Sequence, residues 1–269
     1  MKKLINIREF KIGCILLLLI TIMALFASLI ATHDPRALND ELLSPPSKEY
    51  LLGTDHLGRD VFSMLLYGAG TSLLVGVVAA IISTIIGVLI GAISGYYGGW
   101  IDRIISEIIS MFMMIPTFFL IIICVALYGS SMKNVVIVIA LTSWMGTARM
   151  MRAETLSLKE RDFVRASLVA GEEDIYIIFR HILPHGLYPI IVNATLSISS
   201  AILYEASLSF LGLGDPQAIS WGQIIYNGKP YLINGWWIST FAGLFLAIIV
   251  YAFHMIAEGI NKSMIEVRL

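Results

Sequence analysis

The chain has 269 residues, 58% hydrophobic and only 14% charged, with a formal net charge of −1 and a mean hydropathy of +0.84. A soluble domain is about half apolar and a quarter charged, so this excess is more than one core consumes and lipid is the expected solvent for much of the surface. The near-neutral charge argues against a nucleic-acid or other polyanionic partner, and Cys14 and Cys124, each inside an apolar run, read as small buried hydrophobes rather than a disulfide or metal pair.

A bilayer core about 30 Å thick takes roughly 20 apolar residues in helix. Six stretches approach that length: 12–32, 71–96, 105–127, 135–151, 188–211 and 239–260. The sequence therefore predicts an all-α membrane protein with six transmembrane helices. The first stretch follows a basic start (Lys2, Lys3, Arg8, Lys11) as a signal peptide would. Its apolar run is too long for a typical cleaved segment and no small-x-small site closes it, which predicts an uncleaved anchor. The second carries Gly87-x-x-x-Gly91-x-x-x-Gly95, a ladder of small residues that lets two helix backbones approach closely. The third holds Met111-Phe112-Met113-Met114, read as adaptable packing in preference to a soft-metal path. The fourth is the shortest, diluted by Trp144, Thr147 and Arg149.

Basic residues set the orientation. With a cytoplasmic N-terminus, the inside holds Lys2, Lys3, Arg8, Lys11, Arg103, Arg149, Arg152, Lys159, Arg161, Arg165, Arg180, Lys262 and Arg268, against Arg36, Lys48, Arg59, Lys133 and Lys229 outside, a split of 13 to 5. Omitting the fourth helix would put the cluster from Arg152 to Arg180 outside, so all six are expected, with both termini cytoplasmic. Residues 1–66 then form an anchor helix and first outer loop, and 67–269 a membrane domain with a large inner loop at 152–185 and a second outer loop at 212–237.

The inner loop is the most informative segment. Residues 152–170 read as a helix, with Leu156, Phe163, Val164 and Leu168 available for an apolar side. Gly171 fits a helix-ending position. A second short helix is expected from Glu172-Glu173-Asp174, acids suited to a positive helix start, to Arg180 and His181, with Pro184 just beyond its end. Phe163, Ile175, Ile178 and Phe179 are left exposed unless something covers them, and such patches in water mark docking surfaces. The alternative is an amphipathic loop packed on its own bundle or on lipid headgroups.

Arg165-Ala166-Ser167-x3-Gly171-x9-His181-x-Leu183-Pro184 resembles the cytoplasmic "EAA" loop of ABC importer permeases, Glu-Ala-Ala-x3-Gly-x9-hydrophobic-x-Leu-Pro. In that family the loop inserts into a groove of the ATP-binding subunit and transmits its closure to the membrane helices. The resemblance therefore assigns ATPase coupling to Phe163, Arg165, Ala166, Gly171, His181, Leu183 and Pro184. Arg165 stands where the family has Glu, and Ser167 where it has the second Ala, which puts an inherited ion pair in doubt but not the docking geometry.

Two further runs resemble the dipeptide/oligopeptide/nickel branch of that family. Leu52-Gly53-Thr54-Asp55-His56-Leu57-Gly58-Arg59-Asp60-Val61-Phe62-Ser63 matches its segment between the first two membrane helices. There Gly53 and Gly58 supply turns, while Asp55, Arg59 and Asp60 can pair or cap the next helix. This reads first as a lid stiffening the outer mouth and second as direct substrate contact; His56 alone is weak evidence for a metal ligand. Glu205-Ala206-Ser207-Leu208-Ser209-Phe210-Leu211-Gly212-Leu213-Gly214, followed by Ser220-Trp221-Gly222, matches the fifth helix and outer loop. Glu205, a carboxylate inside a membrane helix, reads equally as part of the translocation path or as a helix-end hydrogen bond.

The resemblance covers residues 8–260 and points to the C-type subunit. It implies the type I importer permease fold, in the cytoplasmic (inner) membrane of a bacterium or archaeon. Implied partners are a homologous second permease, two ATP-binding subunits holding ATP and magnesium, and an extracytoplasmic solute-binding protein. Short peptides are the implied substrate, with nickel, a metal chelate or an oligosaccharide as alternatives. The chain itself is expected to be no enzyme and to bind no cofactor. It has no Gly-x4-Gly-Lys-Ser/Thr loop, since Gly228-Lys229 is followed by Pro230, and no nucleophile or metalloprotease set. His33, His56, His181, His185 and His254 are scattered, and Pro184 interrupts the pair His181 and His185, so no metal site is expected. The rival from another class is an ion-coupled secondary transporter, which commonly carries broken helices and midplane charges.

Overall fold

A computed structural model describes residues 6–268, which are helical apart from loops and one isolated bridge between Thr54 and Asp60. Lys2 and Lys3 lie outside the described residues, as does the side chain of Arg268. In chain order the helices are α1 (Arg8–Leu25, continued by a turn at Ala27–Ile30), α2 (Val61–Tyr97), α3 (Gly99–Met113), α4 (Thr117–Tyr128) and α5 (Met132–Lys159). Then follow α6 (Asp162–Val169), α7 (Asp174–Ile177), a π-helical turn at Ile178–Ile182, α8 (Leu183–Phe210), α9 (Trp221–Gly228) and α10 (Trp236–Arg268).

Four helical stretches are long and apolar enough to cross a bilayer: Val61–Tyr97, Met132–Lys159, Asp174–Phe210 and Trp236–Met264. The pair α3 and α4 makes a fifth if counted as one span. The stretch 105–127 is thus not the straight helix its hydropathy predicts, because the chain bends by 82° between α3 and α4. Pro116 is the cause: it lacks a donor, and it pushes Ile115 out of the helical region. The first stretch, α1, falls outside the count because Arg8, Glu9 and Lys11 open its 18 residues.

The glycine ladder packs α2 against α5, the most extensive helix pairing in the molecule. A Cβ at Gly87 would sit 2.7 Å from Thr147 Cβ, and one at Gly95 would sit 2.8 Å from Thr155 Cβ, so the contact exists only because those positions lack one. At the other edge α1 lies along α10. Gly13 faces the Ala252 carbonyl, Gly259 faces Phe10, and Lys262 Nζ donates to Glu9 Oε1 at 2.6 Å. Segments 33–60, 129–131 and 212–235 gather at one end of the bundle, and Gly98, residues 160–173 and the Glu9–Lys262 pair at the other.

Candidate functional site

At the end predicted to be cytoplasmic, the helix begun at Met132 runs unbroken to Lys159 and breaks at Glu160 and Arg161, so the segment separate from the bundle starts eight residues later than position 152. Gly171 adopts φ +77° and closes α6, with the Glu172 N–H donating to the Ser167 carbonyl at 3.2 Å. The second half differs from expectation. The chain does not stop at Pro184; α7, the π turn and α8 form one continuous stretch from Asp174 to Phe210. The wider turn at Ile178–Ile182 lies just ahead of Pro184, where a regular helix would lose a bond and clash with the ring. The segment after Gly171 is therefore continuous with a membrane helix.

One face of this segment is buried against the bundle. Val164, Ile177, Ile178 and Ile182 pack with Val88, Tyr96, Met151 and Ile190. Ile178, expected on the exposed face, is in that core. Polar contacts tie the same seam: Tyr96 Oη donates to Asp174 Oδ1 at 2.7 Å, and Lys159 Nζ donates to the Tyr96 carbonyl at 2.6 Å. His181 Nε2 lies 3.2 Å from Ser167 Oγ and 3.1 Å from Glu172 Oε2, joining the helix before Gly171 to the helix after it. The His185 ring is turned away, its Nδ1 donating to the His181 carbonyl at 2.6 Å, and Phe163 packs on that ring.

Exposed apolar side chains stand among charged ones (Arg165, Glu173, Arg180) on the rest of the segment. Val169 is 90% exposed, Ile175 64% and Phe179 57%, with Phe163, Leu168 and Tyr176 beside them. Arg165 pairs with Glu160 on the surface, and Ala166 is exposed. Leu183 is half-buried, and Pro184 is exposed on the first turn of α8. A little deeper, Asp102 receives Arg152 Nε and Nη2, both at 2.5 Å, and Ser94 Oγ at 2.5 Å, clasping α2, α3 and α5 together.

At the other end the carboxylates turn inward. Asp55 is fully buried and accepts from the backbone N–H groups of Leu57 and Arg59, both at 2.9 Å, and from Arg59 Nε at 2.7 Å. Asp60 caps α2, accepting from the Ser63 N–H at 2.9 Å and from Thr32 Oγ1 at 3.0 Å. Gly53 and Gly58, at φ +77° and +76°, make the two turns between them. Trp237 Nε1 donates to the Thr54 carbonyl at 3.0 Å and fastens this loop to α10. His56 stacks on Tyr231 at 5.0 Å.

Glu205 is buried, and its Oε1 accepts from Ser209 Oγ at 2.8 Å and Ser220 Oγ at 2.7 Å. Ser220 Oγ in turn accepts from the Gln223 N–H at 3.2 Å, so the carboxylate holds the N-cap of α9. Gly222 lets α9 lie against Ala206, and Trp221 Nε1 donates to the Leu65 carbonyl at 3.1 Å. The singled-out residues thus fall into two groups at opposite ends, Gly53–Asp60 with Glu205 and Phe163–Pro184. Among the described residues no group of three or more His, Cys, Asp or Glu could hold a metal ion.

Tyr96, Lys159, Asp174 and Glu172, which fix the inner segment, escaped functional assignment from sequence because their contacts join distant positions. Asp102 carried the one usable signal, a carboxylate near the start of an apolar helix in need of a partner.

A bundle of long apolar helices joined by close glycine contacts is that of an integral-membrane protein. Residues 87–266 match the family described as binding-protein-dependent transport system inner membrane component. The chain belongs to that family: it is an inner-membrane permease subunit of a bacterial ABC importer, and ATP hydrolysis belongs to a separate subunit. It is 37% identical over 260 residues to the di/tripeptide transport system permease protein DppC of Pseudomonas aeruginosa, covering 94% of this chain and 86% of that protein. It is 40% identical over 261 residues to the dipeptide transport system permease protein DppC of Escherichia coli K12, covering 94% and 87%. Among solved structures, the MetNI methionine ABC transporter in an inward-facing conformation is similar with a TM-score of 0.60 at 22% identity, over 74% of this chain and 95% of that one, and it supports the fold.

Proposed function

We propose that this chain forms half of the translocation pathway for short peptides and takes its drive from an ATP-binding subunit seated on residues 160–185. The observation that carries the proposal is the set of exposed apolar side chains, Phe163, Val169, Ile175 and Phe179, on a segment continuous with a membrane helix. Gly171 sets the angle between α6 and α7, His181 ties them, and Leu183-Pro184 begins the helix that receives the motion. Closure of the ATPase would press this segment and tilt α8. The names of the relatives, di/tripeptide and dipeptide permeases, support a short-peptide substrate.

In this reading the assembly contains a homologous second permease, two ATP-binding subunits carrying ATP and magnesium, and an extracytoplasmic solute-binding protein that docks at the end holding residues 33–60 and 212–235. The chain spans the membrane six times with α1 and the bent α3–α4 pair included, and both termini are cytoplasmic. The outer residues Gly53, Asp55, Gly58, Arg59 and Asp60 act as a lid, and Glu205 moves α9 with α8. Uptake of a labelled dipeptide into proteoliposomes holding the purified complex tests this. Uptake that requires both ATP and the binding protein is expected; uptake driven by an ion gradient without ATP would contradict it.

A further inference from the structure

Helix α3 has three distinct faces. Ile109 is buried against Met145 and Ala148 of α5, and fixes the inward side. Ile104, Ile108 and Phe112 are 48%, 43% and 46% exposed and form an apolar side suited to lipid. The third side is different: Arg103, Glu107, Ser110 and Met114 fall at i, i+4, i+7 and i+11, which places them in one line along the helix. All four are exposed, and neither Arg103 nor Glu107 enters an ion pair among the described residues. Glu107 lies inside the stretch 105–127 read as a membrane helix, where an ionised side chain needs water or a partner, and Arg103 stands one turn nearer the cytoplasmic end. An open groove of about 630 Å³ runs beside this line, bordered also by Asp102 and Arg152.

We infer that the Arg103–Glu107–Ser110–Met114 line of α3 is the wall of a water-filled inner vestibule, through which a zwitterionic substrate leaves. It begins at the end that carries Gly98 and the 160–185 segment, and it runs toward the 82° bend beyond Met114. Arg103 and Glu107 give it one fixed charge of each sign, so a peptide with a free amino group and a free carboxylate passes without stripping both termini of polar contacts. Asp102 contributes no free charge there, because Arg152 neutralises it; that pair holds α3 in place. Met114 offers a flexible apolar surface for varied side chains at the narrow end.

This inference rests on the importer reading above, and its test is read without transport. Single cysteines are placed at Glu107, Ser110 and Met114, and separately at Ile104, Ile108 and Phe112, in an assembled complex carrying Cys14→Ala and Cys124→Ala. Inside-out membrane vesicles are then treated with a charged, water-soluble thiol reagent. The first set is expected to label at least about ten-fold faster than the second, since a charged reagent does not enter lipid. Excess dialanine should slow labelling at Ser110→Cys. Equal labelling of the two sets, or protection of the first set by cross-linking to the second permease, would overturn the vestibule. Failure of the parent complex to take up peptide would count against the proposed function instead.

Discussion

The two ends of this molecule are built on opposite plans. At the end holding residues 33–60 and 205–228, carboxylates are buried and bonded within the chain: Asp55 to Arg59 and two backbone donors, Asp60 through Oδ2 to the start of α2, and Glu205 through Oε1 to two serines. Asp60 Oδ1 and Glu205 Oε2 have no partner among the described residues. At the end holding residues 160–185, Val164, Ile177, Ile178 and Ile182 are buried against the bundle while Val169, Ile175 and Phe179 stay exposed. The first end keeps its polar groups inside its own chain. The second leaves apolar side chains exposed, the pattern expected of a docking surface and the basis of the proposed ATPase contact.

This contrast can be broken or sharpened by substitutions, in falling order of effect on the isolated chain's stability. Asp55→Ala strands the Arg59 guanidinium and two N–H groups, and a cost of about 3–5 kcal/mol is expected for a buried pair broken on one side. Thermal unfolding of the detergent-solubilised protein would show it as a large drop in midpoint. Replacing Asp102 by Ala removes the anchor that Arg152 and Ser94 share, and a loss of about 2–3 kcal/mol is expected at this partly exposed site, by the same measurement. Gly171→Val meets open space but must hold φ +77°, so it is expected to cost about 1–2 kcal/mol in stability while abolishing ATP-dependent uptake. Phe163→Ala should change stability by under about 1 kcal/mol yet reduce uptake at least ten-fold; unaltered uptake would detach the apolar face from coupling. Arg165→Ala breaks only a solvent-exposed pair and should change stability by about 0–1 kcal/mol.

Composition and hydropathy made the membrane class and most of the spans readable from sequence, because helices in lipid need long apolar runs whatever their neighbours. They did not reveal the bend at Pro116, since hydropathy averages over a proline that backbone sterics cannot ignore. They also misjudged Pro184 as a terminus, because a π turn two residues earlier absorbs it. The glycine ladder was legible as close packing, although its partner, α5, was not. Spacing located Gly171, His181 and Leu183-Pro184 in one segment. It could not show that Ile178 points inward, which depends on the phase the π turn sets. Glu205 was readable as a residue needing partners, but Ser220 is 15 residues away across a loop whose course the sequence leaves open.

The most direct test of the account is a cross-link from the exposed side of this segment. A cysteine at Val169 in a chain lacking Cys14 and Cys124, in native membranes, is treated with a short bifunctional thiol reagent and the adducts are identified by mass spectrometry. The account predicts a single major adduct to an ATP-binding subunit, with a yield that changes when ATP is added. Adducts only to lipid-embedded chains, or none to any ATPase, would contradict it.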